Sequence, residues 1–119
     1  MVTCVECRLL VGDLIVRCMD VGLSRSELMQ IVTGAPGEVS ALLAEVERSE
    51  HLEKRVRYLH EVIKIAHSIC GAETEPWLRT VNPALGERSP LETMIQYPQA
   101  LPGMMHLLRR MDEDGGTVH

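Results

Sequence analysis

Hydrophobic residues in the first seventy positions recur at intervals of three and four, which is the period of a helix with one buried face. The first such stripe consists of Leu10, Leu14 and Cys18. It predicts a helix over about residues 6–21, which Gly22 is suited to end because glycine tolerates positive φ. Ser24 and Glu27 have the spacing of a capping box, so a second, short helix is expected to begin there.

The next two helices are also predicted from apolar stripes. A break over residues 33–37 ends the second helix, and a third is expected over residues 38–48. The longest helix is expected over residues 50–70, with an inner stripe of Val56, Leu59, Ile63, Ala66 and Cys70. The charged residues Arg55, Arg57 and Lys64 lie mostly on its other side, where they are interpreted as a solvated face.

The last third of the chain is rich in proline, which favours short helices joined by sharp corners. Residues 82–86 are expected to form one capped turn closed by glycine, and Ser89 and Glu92 form a second capping box. A final amphipathic helix is predicted near residues 103–111, before an acidic tail. The predicted fold is therefore an all-α helical bundle. Residues 1–49 have a degenerate helix-turn-helix outline, and residues 50–119 hold the long helix and a short-helix half.

Composition and charge restrict the function classes. The 119 residues are 45% hydrophobic and carry a net charge of −5, so the chain can bury a core but has no overall basic field for nucleic acid. The sequence contains no apolar run of membrane-spanning length, and its start, with Glu6 and no basic stretch, does not resemble a signal peptide. A cytoplasmic protein without membrane contact is expected.

The cysteines and histidines do not form a recognisable catalytic or metal-binding motif. Cys4 and Cys7 are a single C-x-x-C, which is half of a structural zinc site. His67 and Cys70 share one helix face, but nothing at readable spacing supplies an orienting acid or an oxyanion hole. The sequence therefore predicts neither an enzyme nor a bound metal or cofactor. A thiol enzyme or metal protein built on these residues is kept as an alternative.

The helix-turn-helix outline over residues 24–43 suggests DNA binding, but its chemistry is weak. A recognition helix presents Arg, Lys, Asn or Gln to base edges, whereas residues 38–47 offer mainly glutamate, alanine and serine. Arg25, Ser40 and Arg48 are the candidates for DNA contact in this region.

The run from Trp77 to Glu92 is the most informative part of the sequence. It resembles the C-terminal toxin-binding domain of Xre/MbcA/ParS-type antitoxins. In that family a Trp or Phe followed by Leu precedes Asn-Pro-x-Leu-Gly, a short turn with a basic residue, Ser/Thr-Pro and a helix. The matching positions are Trp77, Leu78, Asn82, Pro83, Leu85, Gly86, Arg88, Ser89, Pro90 and Leu91, with a looser match at Leu107 and Leu108. Glu87 stands where the family commonly has a second glycine.

The resemblance implies an antitoxin that binds and inactivates a cognate toxin, an NAD-consuming or ADP-ribosylating enzyme. It also implies a homodimer and repression of the protein's own operator by the complex. The matching residues would form the toxin-binding site, with Arg88, the last helix and the tail as the contacts. The alternative is a helix-turn-helix repressor without a toxin partner.

Overall fold

The computed structural model describes residues 4–113, which fold into seven α-helices without a strand. The helices are α1 (Cys4–Asp20), α2 (Arg25–Thr33), α3 (Leu42–Arg48), α4 (Glu50–Cys70), α5 (Thr74–Arg79), α6 (Pro90–Gln96) and α7 (Leu101–Glu113). Short 3-10 turns cover Val39–Ala41, Gly71–Glu73, Pro83–Leu85 and Pro98–Ala100. The prediction of a small all-α bundle is confirmed. No helix in this part of the chain is both long enough and apolar enough to cross a bilayer.

The predicted connection between α1 and α2 is confirmed. Gly22 adopts the expected positive φ, at 84°. The Ser24 hydroxyl accepts a hydrogen bond from the Glu27 amide at 3.0 Å, and the Glu27 carboxylate accepts one from the Ser24 amide at 2.8 Å. This reciprocal pair satisfies two of the amides that a helix start leaves without an internal partner, and so fixes where α2 begins.

The third predicted helix is shorter than expected. Instead of one helix over residues 38–48, the structure has the 3-10 turn Val39–Ala41 followed by α3. Glu38 has an extended backbone, with φ −83° and ψ 128°, and its side chain caps nothing. The apolar stripe was visible in the sequence, but without a cap the first turn tightens into 3-10 geometry.

The long helix α4 has the predicted bounds and lies at the centre of the fold. It packs against α1, α3 and α7. Its inner residues Val56, Leu59, Val62, Ile63 and Ala66 are fully buried. They belong to one hydrophobic core that includes buried residues from α1, α2, α3, α5, α6 and α7.

The charged face of α4 was predicted to be solvated, but the structure shows that one of its residues is not. Arg57 pairs with Glu53, and Lys64 with Glu61, along the helix surface. Arg55, however, is half-buried and donates from Nη1 to the Val32 carbonyl at 2.9 Å. It thereby satisfies one of the last carbonyls of α2, which an isolated helix end would leave to water.

A polar cluster joins the α1–α2 connection to α5. The Arg79 guanidinium donates two bonds to the Glu27 carboxylate, both at 2.9 Å, and one to the Gly22 carbonyl at 2.7 Å. Glu75 pairs with Arg79 at 3.6 Å, and its carboxyl group lies directly over the Gly22 Cα, where a side chain would stand. We call Gly22, Glu27, Glu75 and Arg79 the Arg79 cluster. It connects residues more than fifty positions apart in the sequence.

The final helix is longer than predicted at both ends. It begins at Leu101, which is fully buried, and includes Asp112 and Glu113 in its last turn. The predicted acidic tail therefore does not begin at residue 112, and its remaining positions, 114–119, lie outside the described residues.

Candidate functional site

The site begins with α5, which places two adjacent residues in different environments. Leu78 is fully buried in the core. Trp77 is half-buried and packs against the same core, so part of its indole surface remains exposed. Because α5 packs against α4 and α6, this end of the site is fixed to the body of the bundle.

The turn that follows α5 is a 3-10 turn, Pro83–Leu85, that ends at Gly86. The backbone N–H of Asn82 donates to the backbone carbonyl of Arg88 at 3.0 Å, so the two residues form an isolated antiparallel bridge. Inside this bridge the Leu85 amide donates to the Asn82 carbonyl at 2.9 Å, and the Gly86 amide donates to the Pro83 carbonyl at 3.2 Å. Gly86 has φ 68° and closes the turn, as the sequence predicts.

Glu87 has an unexpected backbone conformation. Its φ is 65°, which makes it the one non-glycine residue with positive φ in the part of the chain that the structure describes. This conformation brings the Cβ of an L-residue close to the following carbonyl, at a cost of about 1–2 kcal/mol. The backbone thus has a positive, left-handed φ at two consecutive residues, Gly86 and Glu87.

Replacing Glu87 with glycine should therefore stabilise the protein by about 1 kcal/mol, because the left-handed conformation no longer strains a side chain. Gly86→Ala should have the opposite sign and cost about 1–2 kcal/mol, since a Cβ there would also lie 3.1 Å from Arg88 Nη1. Urea unfolding would measure both. Glu87→Ala is the control, since it removes the carboxylate but keeps the strain, and a gain equal to that of Glu87→Gly would contradict the backbone explanation.

The predicted binding residues separate into a buried and an accessible group. The buried group is Leu78, Ser89, Pro90, Leu91 and Leu108. The half-buried or exposed group is Trp77, Asn82, Pro83, Leu85, Gly86, Arg88 and Leu107. Ser89 and Glu92 form the predicted capping box, with Pro90 at the first helical position. Only the accessible group can touch a partner directly, and the buried group holds it in place.

The structure adds Tyr97 to the accessible residues of the candidate site, although the sequence analysis did not propose it as a binding residue. The Arg88 guanidinium lies over the Tyr97 ring, 5.0 Å from its centre, and its Nη2 is 3.4 Å from the Tyr97 hydroxyl. Tyr97 is 40% exposed, and Val81, the neighbour of Asn82 in the bridge, is 52% exposed. We call Val81, Arg88 and Tyr97 the Arg88–Tyr97 patch. Arg88 is half-buried and, within residues 4–113, has no carboxylate partner.

The residues proposed for DNA contact are all accessible but are not gathered on one helix. Arg25 lies at the first residue of α2, Ser40 in the 3-10 turn and Arg48 at the end of α3, and each is exposed. The exposed side of α3 also carries Glu45 and Glu47. Phosphates would be repelled by these carboxylates, so DNA binding by this segment stays a prediction.

The cysteine thiols are placed as packing groups. Cys7 and Cys18 are buried, and Cys70 is half-buried rather than fully buried as its apolar stripe suggested. Burial raises the pKa of the Cys7 and Cys70 thiols and raises that of Cys18 to about 12, so these thiols are protonated near neutral pH. Among the described residues, no three His, Cys, Asp or Glu side chains converge to hold a metal ion.

Comparison with known proteins gives no relative: no family model, no curated protein and no solved structure matches this chain.

Proposed function

We propose that this protein is an antitoxin that neutralises an NAD-consuming or ADP-ribosylating toxin by binding it directly. The observation that carries the proposal is the accessible Arg88–Tyr97 patch. It is held on residues 77–91, which we call the frame and which have the residue order of the antitoxin family. Glu87 adds support, because its left-handed φ of 65° is one that glycine, the family's common residue there, adopts without strain.

The frame suits protein recognition because little of it needs to become ordered on binding. Its turn is closed by the Asn82–Arg88 bridge, and the following helix begins at a reciprocal capping box. Ordering surface side chains and loops is a large cost of association, so a surface that is ordered beforehand binds more tightly for the same contacts.

The patch also has the chemistry of a binding hot spot. Arginine and tyrosine are enriched among residues whose truncation weakens protein complexes most. The Arg88 guanidinium lies over the Tyr97 ring, and such a planar group can bind a carboxylate or phosphate through two bonds. Leu107, which is 46% exposed on α7, offers a separate apolar contact.

The test is co-expression with the neighbouring open reading frame. We expect that frame to be toxic alone, to be tolerated with this protein, and to co-purify with it. Arg88→Ala combined with Tyr97→Ala should weaken the complex at least about tenfold, measured by calorimetric titration. The matched control is Arg25→Ala, which removes an exposed arginine on α2.

Two outcomes would reject the proposal or part of it. The first is a neighbouring product that is harmless when expressed alone and does not co-purify. The second, which rejects the Arg88–Tyr97 patch as the contact but not the antitoxin function, is a complex whose affinity is unchanged by the Arg88 and Tyr97 substitutions but is lost with Arg25→Ala.

Self-association and repression of the protein's own promoter belong to the same proposal. Arg25, Ser40 and Arg48 are exposed and so accessible to operator DNA, and a gel-shift assay with the upstream DNA would test this contact. Tight binding by the isolated protein, with no toxin encoded nearby, would favour a repressor instead. A shift only with the purified complex would favour the antitoxin.

A further inference from the structure

Helix α1 carries two apolar stripes on opposite sides. The inner stripe consists of Cys7, Val11, Leu14 and Cys18, all buried in the core. The outer stripe consists of Val5, Leu9, Gly12, Val16 and Met19, all exposed. Val5 is 67% exposed, Leu9 69%, Val16 57% and Met19 51%, and no element of residues 4–113 covers them.

The outer stripe has the spacing of a coiled-coil seam. Its members follow one another at steps of four, three, four and three residues, the repeat that keeps one line of side chains facing a second helix. Single exposed apolar residues are common on soluble proteins and need no explanation. Five consecutive seam positions along a helix of 17 residues are a contiguous surface that water solvates poorly.

From this stripe we infer that α1 forms a parallel two-stranded seam with α1 of a second copy of the chain. The charges beside the stripe select this occupant and this direction. One edge carries Glu6, Asp13 and Asp20, and the other carries Arg8 and Ile15. A parallel pair sets unlike edges against each other, whereas an antiparallel pair would set the acidic edge against itself.

In the parallel pair, Arg8 faces Asp13 of the second copy, and symmetry repeats the contact. Arg8 has no ion pair within residues 4–113. Asp13 binds His60 and Arg17 through the same oxygen, Oδ2, so Oδ1 is available. Hydrogen bonds from His60 and Arg17 hold the pKa of Asp13 below its usual value, and the carboxylate is charged near neutral pH.

Gly12 lies at the middle of the stripe and sets how closely the helices can approach. A Cβ built on Gly12 would meet no atom within 4 Å, so the glycine is not required by packing inside one copy. Glycine in a helix interior costs about 0.5–1 kcal/mol relative to alanine. In the seam this small residue lets the two backbones come near each other.

The seam spans only two heptads, so we expect a dimer that dissociates on dilution in the micromolar range. Sedimentation equilibrium across a concentration series should show a mass rising from monomer to dimer. Leu9→Glu combined with Val16→Glu should remain monomeric throughout, with an unchanged circular dichroism spectrum. Ala44→Glu combined with Ala72→Glu is the control, because it adds the same two charges at exposed positions outside α1 and outside the Arg88–Tyr97 patch.

The direction is tested by disulfide cross-linking. In a parallel pair Val16 faces its own counterpart, so Val16→Cys should form a covalent dimer under mild oxidation, in a background of Cys4→Ser and Cys70→Ser. Arg8→Glu should weaken the dimer several-fold. A wild type that stays monomeric at every concentration, a dimer unaffected by Leu9→Glu with Val16→Glu, or a Val16→Cys that never cross-links would each overturn the inference.

The antitoxin proposal includes self-association but names no surface for it, whereas the α1 seam rests on the outer stripe alone, and the experiments separate the two. The Leu9→Glu, Val16→Glu variant should still neutralise the toxin in co-expression, because the Arg88–Tyr97 patch is intact. If the wild type is monomeric alone and this variant loses the toxin, then the toxin occupies α1 and the dimer is wrong while the antitoxin function stands.

Discussion

Replacing Leu78 with alanine is expected to lower the free energy of unfolding by about 2–5 kcal/mol. Leu78 is fully buried and packs where α5 contacts α4 and α6, so the truncation leaves a cavity in the shared core. Urea unfolding followed by the fluorescence of Trp77, the only tryptophan in the chain, measures the loss.

The matched control is Leu107→Ala, which removes the same atoms from a side chain that is 46% exposed. It should change stability by less than about 0.5 kcal/mol. If the Leu78 variant is as stable as this control, then Leu78 does not pack as described. The comparison also matters for binding, because a Leu78 variant that fails to bind a toxin has lost the frame and not a contact.

Replacing Arg79 with methionine should destabilise the protein by about 1–3 kcal/mol, a typical range for hydrogen bonds that involve a charged group. The substitution keeps most of the aliphatic length but removes the bonds to the Glu27 carboxylate and the Gly22 carbonyl. Arg79 is 41% exposed, so solvent screening places the loss toward the lower end of that range. Arg79→Lys should recover only part of the loss. It keeps the positive charge, but an ammonium cannot bind the carboxylate through two parallel bonds.

The same variant should flatten the acid dependence of stability. Hydrogen bonding to Arg79 lowers the pKa of Glu27 from its ordinary 4.5 in the folded protein. A carboxyl with a lowered folded pKa contributes stability that is present above its unfolded pKa and is lost as pH falls through the folded value. Wild type should therefore lose more stability than Arg79→Met between neutral pH and the region below 4.5. Parallel pH profiles would show that the Arg79–Glu27 bond is not formed in solution.

The elements that the sequence predicted well are those fixed by neighbouring residues. Both capping boxes act between residues three apart, and Gly22 and Gly86 hold the positive φ expected of them. The stripe that predicted α4, from Val56 to Cys70, repeats at steps of three and four residues. In each case the interaction that decides the structure lies within one helical turn, where sequence patterns carry information.

The features that were missed depend on distant residues. Arg79 meets Glu27 across 52 positions, and Arg55 meets Val32 across 23, and no local pattern predicts either partner. The sequence predicts a solvated Arg55 because this residue lies on the side of its helix away from the apolar stripe. The carbonyl that it caps comes from another helix, whose end is placed only by the tertiary fold.

The candidate site shows the same division. The residue order from Trp77 to Leu91 suggested a family but did not distinguish frame from contact. Leu107 and Leu108 were grouped together, yet successive helical residues point about 100° apart, and one is exposed while the other is buried. Tyr97 gave one signal that could have been used, since it is one of only two tyrosines in a chain without phenylalanine.

The buried thiols of α1 allow local opening of this helix to be measured by thiol labelling. Cys7 lies near the start of this helix and Cys18 near its end, and both are buried. A thiol reagent can modify such a residue only when its surroundings open, so the labelling rate measures the free energy of that opening. Comparing the two rates would show whether α1 unravels from one end or is released as a unit.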